Sequence, residues 1–492
     1  MARTLIVWGC GSGAGKSWVA TALCRAAARR GVDVAPFKAQ NMSNNARVVP
    51  TPDGAHGEIG TAQYLQALAA RAQPTTDMNP VLLKPERDTA SQVVVHGRPD
   101  AELSRMGWIE RSARLAAAAR EGFDRLAASR GLVVVEGAGS PAEINLAPHD
   151  YVNLGTARWA REHGPAQALL VADIDRGGAF AHLHGTTLLL PEDLRPLLAG
   201  LVLNRFRGDP ALLEPGPRQI RELTGVPLVA VIPMLREHGL PEEDGWYGPA
   251  ASSDAPGLRT VAIVAPPRIS NLDEFAPLAA VPGLRLVWAR TPAELAGAEI
   301  VVLPGSKQVS GDLAWLRSQG LGQAVVAHAA AGGAVLGVCG GLQMLGTRLD
   351  DPQGADGAPG CVDGLGLLPL ATTYRQDKRV CPGRFTFGDV HGGWQALAGV
   401  TADGYEIRHG RSMPRADAAC TVALRDASGE PIGWQAGSVL GVYAHGLFES
   451  REVVRALFGA QAPTLEASFE RLADCIEAAF APGVLDALLA GR

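Results

Sequence analysis

Apolar and polar positions divide the chain into two alternating series. In the first, short apolar runs at Thr4–Trp8, Val32–Phe37, Leu132–Val135, Ala168–Ala172, Leu201–Leu203 and Leu228–Ile232 are separated by segments of helical period. Runs of this length read as strands, and their alternation with helices predicts a parallel α/β sheet. Lys16–Arg30 is one of the helices, and Gly31 closes it. From Arg236 to Gly257 the period fades into Pro, Gly, Ser, Asp and Glu, the composition of a linker. A second series follows, with strands expected near Thr260–Val264, Leu286–Trp288, Ile300–Leu303 and Val335–Val338. The expectation is an α/β protein of two domains, 1–235 and 258–455, with a linker at 236–257 and a helical tail at 456–492. Asp350–Gly360, rich in Asp, Gly and Pro, is expected to be a mobile loop.

Composition narrows the class. The 492 residues are 47% apolar and 19% charged, with a net charge of −5. A real core is affordable, and no charge excess points to nucleic acid or an anionic membrane. No run of apolar residues is long enough to span a bilayer, and the start of the chain enters a strand without a signal-peptide core. The seven cysteines are odd in number and form no CxxC pair, which argues against a disulfide framework or a zinc cage. A reducing cytoplasm is the expected location. Of 45 basic residues only Lys16, Lys38, Lys84, Lys307 and Lys378 are lysine. In an arginine-rich chain these mark positions where a compact ammonium suits better than a planar fork.

The first strand leads into Gly9-Cys-Gly-Ser-Gly13-Ala-Gly15-Lys16-Ser17 and then a helix. Glycines let backbone amides wrap phosphate oxygens, and a helix N-terminus adds a favourable field. Lys16 would reach the outer phosphates of ATP and Ser17 would ligate Mg2+. Five residues separate Gly9 from Gly15 rather than the usual four, because position 10 is cysteine. Glu136 ends an apolar strand, where a hard carboxylate suits magnesium. Asn204, after another strand, is a candidate reader of adenine.

In the second series, Ala334-Val-Leu-Gly-Val-Cys339-Gly340-Gly-Leu-Gln343 runs from strand through cysteine to helix. A tight turn of this kind exposes a nucleophile, the helix N-terminus favours a thiolate, and the Gly340 amide could hold an oxyanion. His445 follows a later apolar run and is the candidate base.

These motifs resemble known families. The Cys-Gly-Gly-x-Gln elbow with a later histidine looks like the class I glutamine amidotransferases, whose domain is flavodoxin-like. By that resemblance Leu303-Pro-Gly305-Ser306-Lys307 completes the oxyanion hole, and Gln343 belongs to the glutamine site. Many members carry a glutamate two residues after the histidine; here that position is Leu447, and Glu449 is the nearest carboxylate in sequence. The longer phosphate loop resembles dethiobiotin synthetase, whose relatives use a lysine like Lys38 on phosphate or substrate. Asn41-Met-Ser-Asn-Asn45, Met78-Asn-Pro-Val-Leu-Leu-Lys84, Glu136-Gly-Ala-Gly-Ser-Pro-Ala-Glu-Ile-Asn145, Asp173-Ile-Asp-Arg-Gly-Gly178 and Gly404-Tyr-Glu-Ile-Arg-His-Gly410 resemble the cobyric acid synthase family. That resemblance implies an amidoligase taking ATP, Mg2+ and glutamine. Its acceptor would be a corrinoid, adenosylcobyrinic acid a,c-diamide, amidated at the b, d, e and g carboxylates. Asn41, Asn44, Asn45, Ser140, Glu143 and Asn145 are the candidate acceptor contacts.

Three other readings stand beside it. The sister synthase that amidates the a and c carboxylates has the same two domains, but the Asn41–Asn45 and Asp173–Gly178 strings favour the first reading. A non-enzymatic ATP switch would share the phosphate loop and leave Cys339 without a role. A glutaminase domain kept only as scaffold would not need an intact elbow.

Overall fold

The computed structural model describes residues 2–87, 90–235, 238–240, 258–415, 420–460 and 463–490. Its first half is built on a six-stranded parallel sheet. Arg3–Gly9 lies between Ala166–Asp173 and Leu132–Glu136; beyond them lie Leu198–Phe206 then Leu228–Pro233 on one side, and Val34–Phe37 on the other. Arg3–Gly9, Leu132–Glu136 and Val34–Phe37 are all but entirely buried, which is why they read as near-continuous apolar runs. The loops after Arg3–Gly9, Leu132–Glu136 and Leu198–Phe206 open on the same carboxyl edge of the sheet, where ligands bind in folds of this type.

Between Val34–Phe37 and Leu132–Glu136 the chain builds two small additions. One is a sheet of Gln40–Met42, Val81–Arg87, Ala90–Val95 and Arg98–Asp100; the other is the hairpin of Ala46–Pro50 and His56–Gly60. These additions face the second half.

The second half centres on parallel strands in the order Leu284–Ala289, Arg259–Val264, Ile300–Leu303, Ala334–Val338 and Val439–Val442. An antiparallel extension continues the sheet through Pro431–Ala436 and Thr421–Asp426 to a long ribbon of Leu370–Phe387 and Thr401–Pro414. The hydrophobic pattern did not reveal that ribbon, since exposed and half-buried polar residues interrupt its apolar alternation and its register shifts between Tyr374 and Arg379.

One expectation is corrected. Asp350–Gly360 is not free. Asp351 accepts from the Ala355 and Asp356 amides, and Asp356 accepts from the Val309 and Ser310 amides at the start of the helix Val309–Ser318. The acid-rich composition that suggested mobility supplies the acceptors that tie the segment down. The helical tail packs back on the first half. Helix Leu465–Ala479 returns to the first half, packs on Lys16–Arg29 with Phe469, Leu472 and Ile476 fully buried, and Phe480 bridges to Ala230. Each such side chain stabilises by about 1.5–3 kcal/mol. Most of the expected linker, 236–237 and 241–257, lies outside the described residues.

Candidate active site

The phosphate loop ends at Gly15, which has φ 93° and precedes helix Lys16–Arg29. A side chain there would be strained, and its Cβ would lie 2.0 Å from Asn204 Nδ2. Lys16 Nζ donates to the Gly11 and Gly139 carbonyls at 2.9 and 3.0 Å, so its ammonium is held across the loop mouth. Glu136 is fully buried and gathers donors: Ser17 Oγ and Lys38 Nζ, each at 2.8 Å, Gln66 Nε2 at 2.6 Å and Gln63 Nε2 at 3.4 Å. Burial alone would raise its carboxyl, but Lys38 and the other donors more than offset that and hold it below the usual range. Asn204 lines the same site and donates Nδ2–H to the Ala14 carbonyl at 3.0 Å, bracing the loop. Arg176 stands over Gly13. Together these residues open into a cavity of about 1310 Å3 that also takes in Asn41 and Asn45 and, from the second half, Asp273 and Arg290.

The second site is the turn at Cys339. Its φ of 50° is unusual for a residue with a side chain and is held by the small neighbours around it. A Cβ on Gly341 would lie 1.9 Å from the Leu303 carbonyl, and one on Gly340 would lie 2.7 Å from the Ser306 amide. Only glycine lets the turn settle against the Gly305–Ser306 loop. Cys339 is 6% exposed, with Sγ 3.6 Å from the Ile407 carbonyl.

His445 is brought to Cys339 by the end of the neighbouring strand, Val439–Val442, and interacts with its side chain. Its Nδ1 is 2.9 Å from Glu274 Oε1, and Glu274 Oε2 accepts from the Gly446 amide at 2.9 Å. Cysteine, histidine and glutamate thus form a triad. Burial would push the imidazole down, but Glu274 and Cys339 raise it to about 10, so the ring is charged at neutral pH. Tyr405 stacks on it with ring centres 5.3 Å apart. Gln343 is also placed here; its Oε1 accepts from Tyr374 Oη at 2.8 Å. Gly305 lies against His445, and Ser306 Oγ donates to Asp312 at 2.7 Å.

Two family models match. Residues 5–243 match the CobQ/CobB/MinD/ParA nucleotide binding domain, and residues 260–453 match the CobB/CobQ-like glutamine amidotransferase domain. Over 498 residues the chain is 60% identical to a protein named cobyric acid synthase from Methylibium petroleiphilum, covering 99% of this chain and 97% of that one. It is 58% identical over 506 residues to a cobyric acid synthase from Leptothrix cholodnii, covering 100% and 98%. The chain belongs to the cobyric acid synthase family.

Within this family member, the sequence-predicted residues divide. Cys339, His445, Gly305, Ser306, Gly340 and Gln343 meet at one site; Gly13, Gly15, Lys16, Ser17, Lys38, Glu136 and Asn204 meet at the other. Of the acceptor candidates, Asn41 and Asn45 line the large cavity. Asn44 donates to the Pro85 carbonyl, Ser140 accepts from the Ala142 amide within its own turn, and Glu143 and Asn145 are exposed to solvent; none of these four lines the cavity.

Sequence reasoning missed Glu274, which precedes the elbow and follows no apolar strand. Position 447 is filled by a buried leucine, and Glu449 pairs instead with Arg47. The missed signal was the acid pair Asp273-Glu274 in an otherwise apolar stretch, both buried.

Proposed function

We propose that this chain is a glutamine-dependent amidoligase that converts the b, d, e and g carboxylates of adenosylcobyrinic acid a,c-diamide to amides. The observation that carries this reading is the pairing of a Cys339–His445–Glu274 triad with an intact phosphate loop whose cavity is lined from both halves.

A carboxylate is a poor electrophile. Phosphate transfer from ATP makes it an acyl phosphate and leaves ADP; Lys16 and the loop amides hold the transferred phosphate. Ammonia then attacks the acyl carbon and phosphate leaves. Magnesium fits the donor set: a hydroxyl from Ser17 and a carboxylate from Glu136 stand together, both hard oxygen ligands. When bound, the ion would neutralise charge on the phosphates.

Nitrogen comes from glutamine. The Cys339 thiolate attacks the side-chain amide carbon, and backbone amides at Gly340 and the Gly305–Ser306 loop face the oxyanion. His445 gives its proton to the departing ammonia, Glu274 holds the ring in place, and water then releases glutamate from the thioester. We place this chemistry in the cytoplasm, where thiols stay reduced; the seven cysteines are all free.

The test supplies ATP, magnesium and the a,c-diamide, with glutamine or ammonium chloride, and counts added amides by mass. Cys339→Ala should lose synthesis from glutamine and keep it from ammonia. Lys16→Ala should lose both. Four added amides distinguish this reading from the a,c-amidating sister; no ATP-dependent mass gain from either nitrogen source would end it.

A further inference from the structure

All five lysines of the chain lie in two groups that are buried or nearly so. Lys16 and Lys38 belong to the phosphate site. The other three come from three separate segments and from both halves: Lys84 from the strand Val81–Arg87, Lys307 from the loop after Ile300–Leu303, and Lys378 from the ribbon strand Leu370–Phe387. Lys84 and Lys378 grip the two oxygens of the fully buried Glu58, at 2.6 and 2.5 Å. Lys307 donates to Gln92 Oε1 at 2.9 Å and lies 3.4 Å from Glu86.

All three lysines line the same cavity as Cys339, Gly340 and Gln343. Among the described residues, three ammonium groups therefore share one buried carboxylate and one, Glu86, that is 41% exposed. Burying cations beside one another is unfavourable unless anions answer them. Burial, with Lys84 and Lys307 adding to it and Glu58 opposing, pushes the Lys378 ammonium down to about 7. An arriving carboxylate would relieve that excess. The other bases at the cavity are engaged or neutral: Arg408 is held by Glu406 and the Gly410 carbonyl, and burial pushes His409 down to about 4.

The chemistry of the triad leaves a gap that this group fills. Cys339, His445 and the oxyanion amides act on any primary amide. Choice of glutamine has to come from the far end of the molecule, which carries the α-carboxylate.

We propose that Lys84, Lys307 and Lys378 bind the α-carboxylate of glutamine, so that Lys84 from the first half completes the glutamine site of the second. This rests on the glutaminase reading given above.

The test uses the full chain and compares ammonia release from L-glutamine and from 4-aminobutanamide, which has the amide and amine but no carboxylate. The wild type should prefer glutamine by about a hundredfold or more in kcat/KM, as expected for charge-assisted contacts. Lys307→Gln and Lys84→Gln should raise KM for glutamine by roughly tenfold or more with little change in kcat, and should leave kcat/KM for 4-aminobutanamide little altered. Lys307→Arg should recover part of the preference. Lys84→Gln leaves Glu58 short of a partner, so its thermal midpoint is measured alongside; Lys307→Gln, whose partners are Gln92 and the exposed Glu86, carries the test if that variant is unstable. Unchanged preference in Lys307→Gln, or equal losses for both substrates, overturns the proposal alone. A wild type that releases no ammonia from glutamine overturns the glutaminase reading itself.

Discussion

Arg47 of the first half makes a buried ion pair with Asp273 of the second, and Asp273 is the immediate neighbour of Glu274, which holds His445. Arg47 also donates to the Tyr405 hydroxyl at 2.6 Å, and Tyr405 stacks on His445. Two residues away, Asn45 lines the large cavity and accepts from the Leu272 amide, while Asn271 accepts from the Ala46 amide. One short stretch, Asn41–Arg47, thus touches the cavity shared with the phosphate loop at one end and the triad's support at the other.

This seam predicts coupling. Glutamate release at saturating glutamine should be slow alone and should rise when ATP and the acceptor are added, because ligands that favour one arrangement of Asn41–Arg47 then favour one arrangement of Asn271–Glu274. Arg47→Lys should reduce the stimulation more than the unstimulated rate. Arg47→Met leaves Asp273 buried and unpaired, and should cost about 3–5 kcal/mol in denaturant unfolding. Equal rates with and without ATP and acceptor in the wild type would mean that the seam is only structural.

Glu274→Gln should keep the fold and lower glutamine-driven synthesis by roughly a hundredfold or more, since the ring loses its orienting anion, while ammonia-driven synthesis persists. Leu447→Glu should not rescue it. Leu447 is buried in the core, so a carboxylate there has to be desolvated. A glutaminase rate in Glu274→Gln close to wild type would remove it from the triad.

The raised pKa of His445 has a stability consequence. Its value rises from an ordinary 6.5 to about 10 on folding, so the folded state holds a proton that the unfolded state gives up first. The associated stability is fully present below about pH 6.5 and is lost as pH rises through about 10. Denaturant titrations at pH 7 and pH 10 should show a larger loss in wild type than in His445→Gln. Parallel losses would mean the ring is neutral in the folded protein.

The tail predicts a dependence of the first half on the end of the chain. Arg25 is fully buried on helix Lys16–Arg29, paired with Glu466 and Glu470 and stacked on Phe469. Phe469→Ala should cost about 3–5 kcal/mol and lower ATP-dependent synthesis from both nitrogen sources at elevated temperature. A melting midpoint equal to wild type would show that the helix contributes little to the first half.

Much of the phosphate site was legible along the chain because its parts are local. The strand, the glycines, Lys16 and Ser17 are consecutive, and Glu136 stands at a strand end that a parallel sheet must bring to the same edge. The elbow was legible for the same reason: Gly337, Cys339, Gly340 and Gly341 lie within five consecutive positions.

What the chain order could not reveal were the partners set by packing between distant segments. Glu274 reaches His445 across 171 positions, and Lys378 reaches Glu58 across 320. Neither spacing has a periodic signature, and a lone acid or lysine looks the same in sequence whether it is solvated or buried. The tail's docking partner was not legible because its apolar face carries no record of which half it covers. Local backbone geometry is written in consecutive residues, so the sequence by itself determined the parallel parts of the two sheets, the loop and the elbow. Burial and charge pairing depend on where the segments come to rest, so only the tertiary structure decided the third triad member, the lysine group and the seam at Arg47.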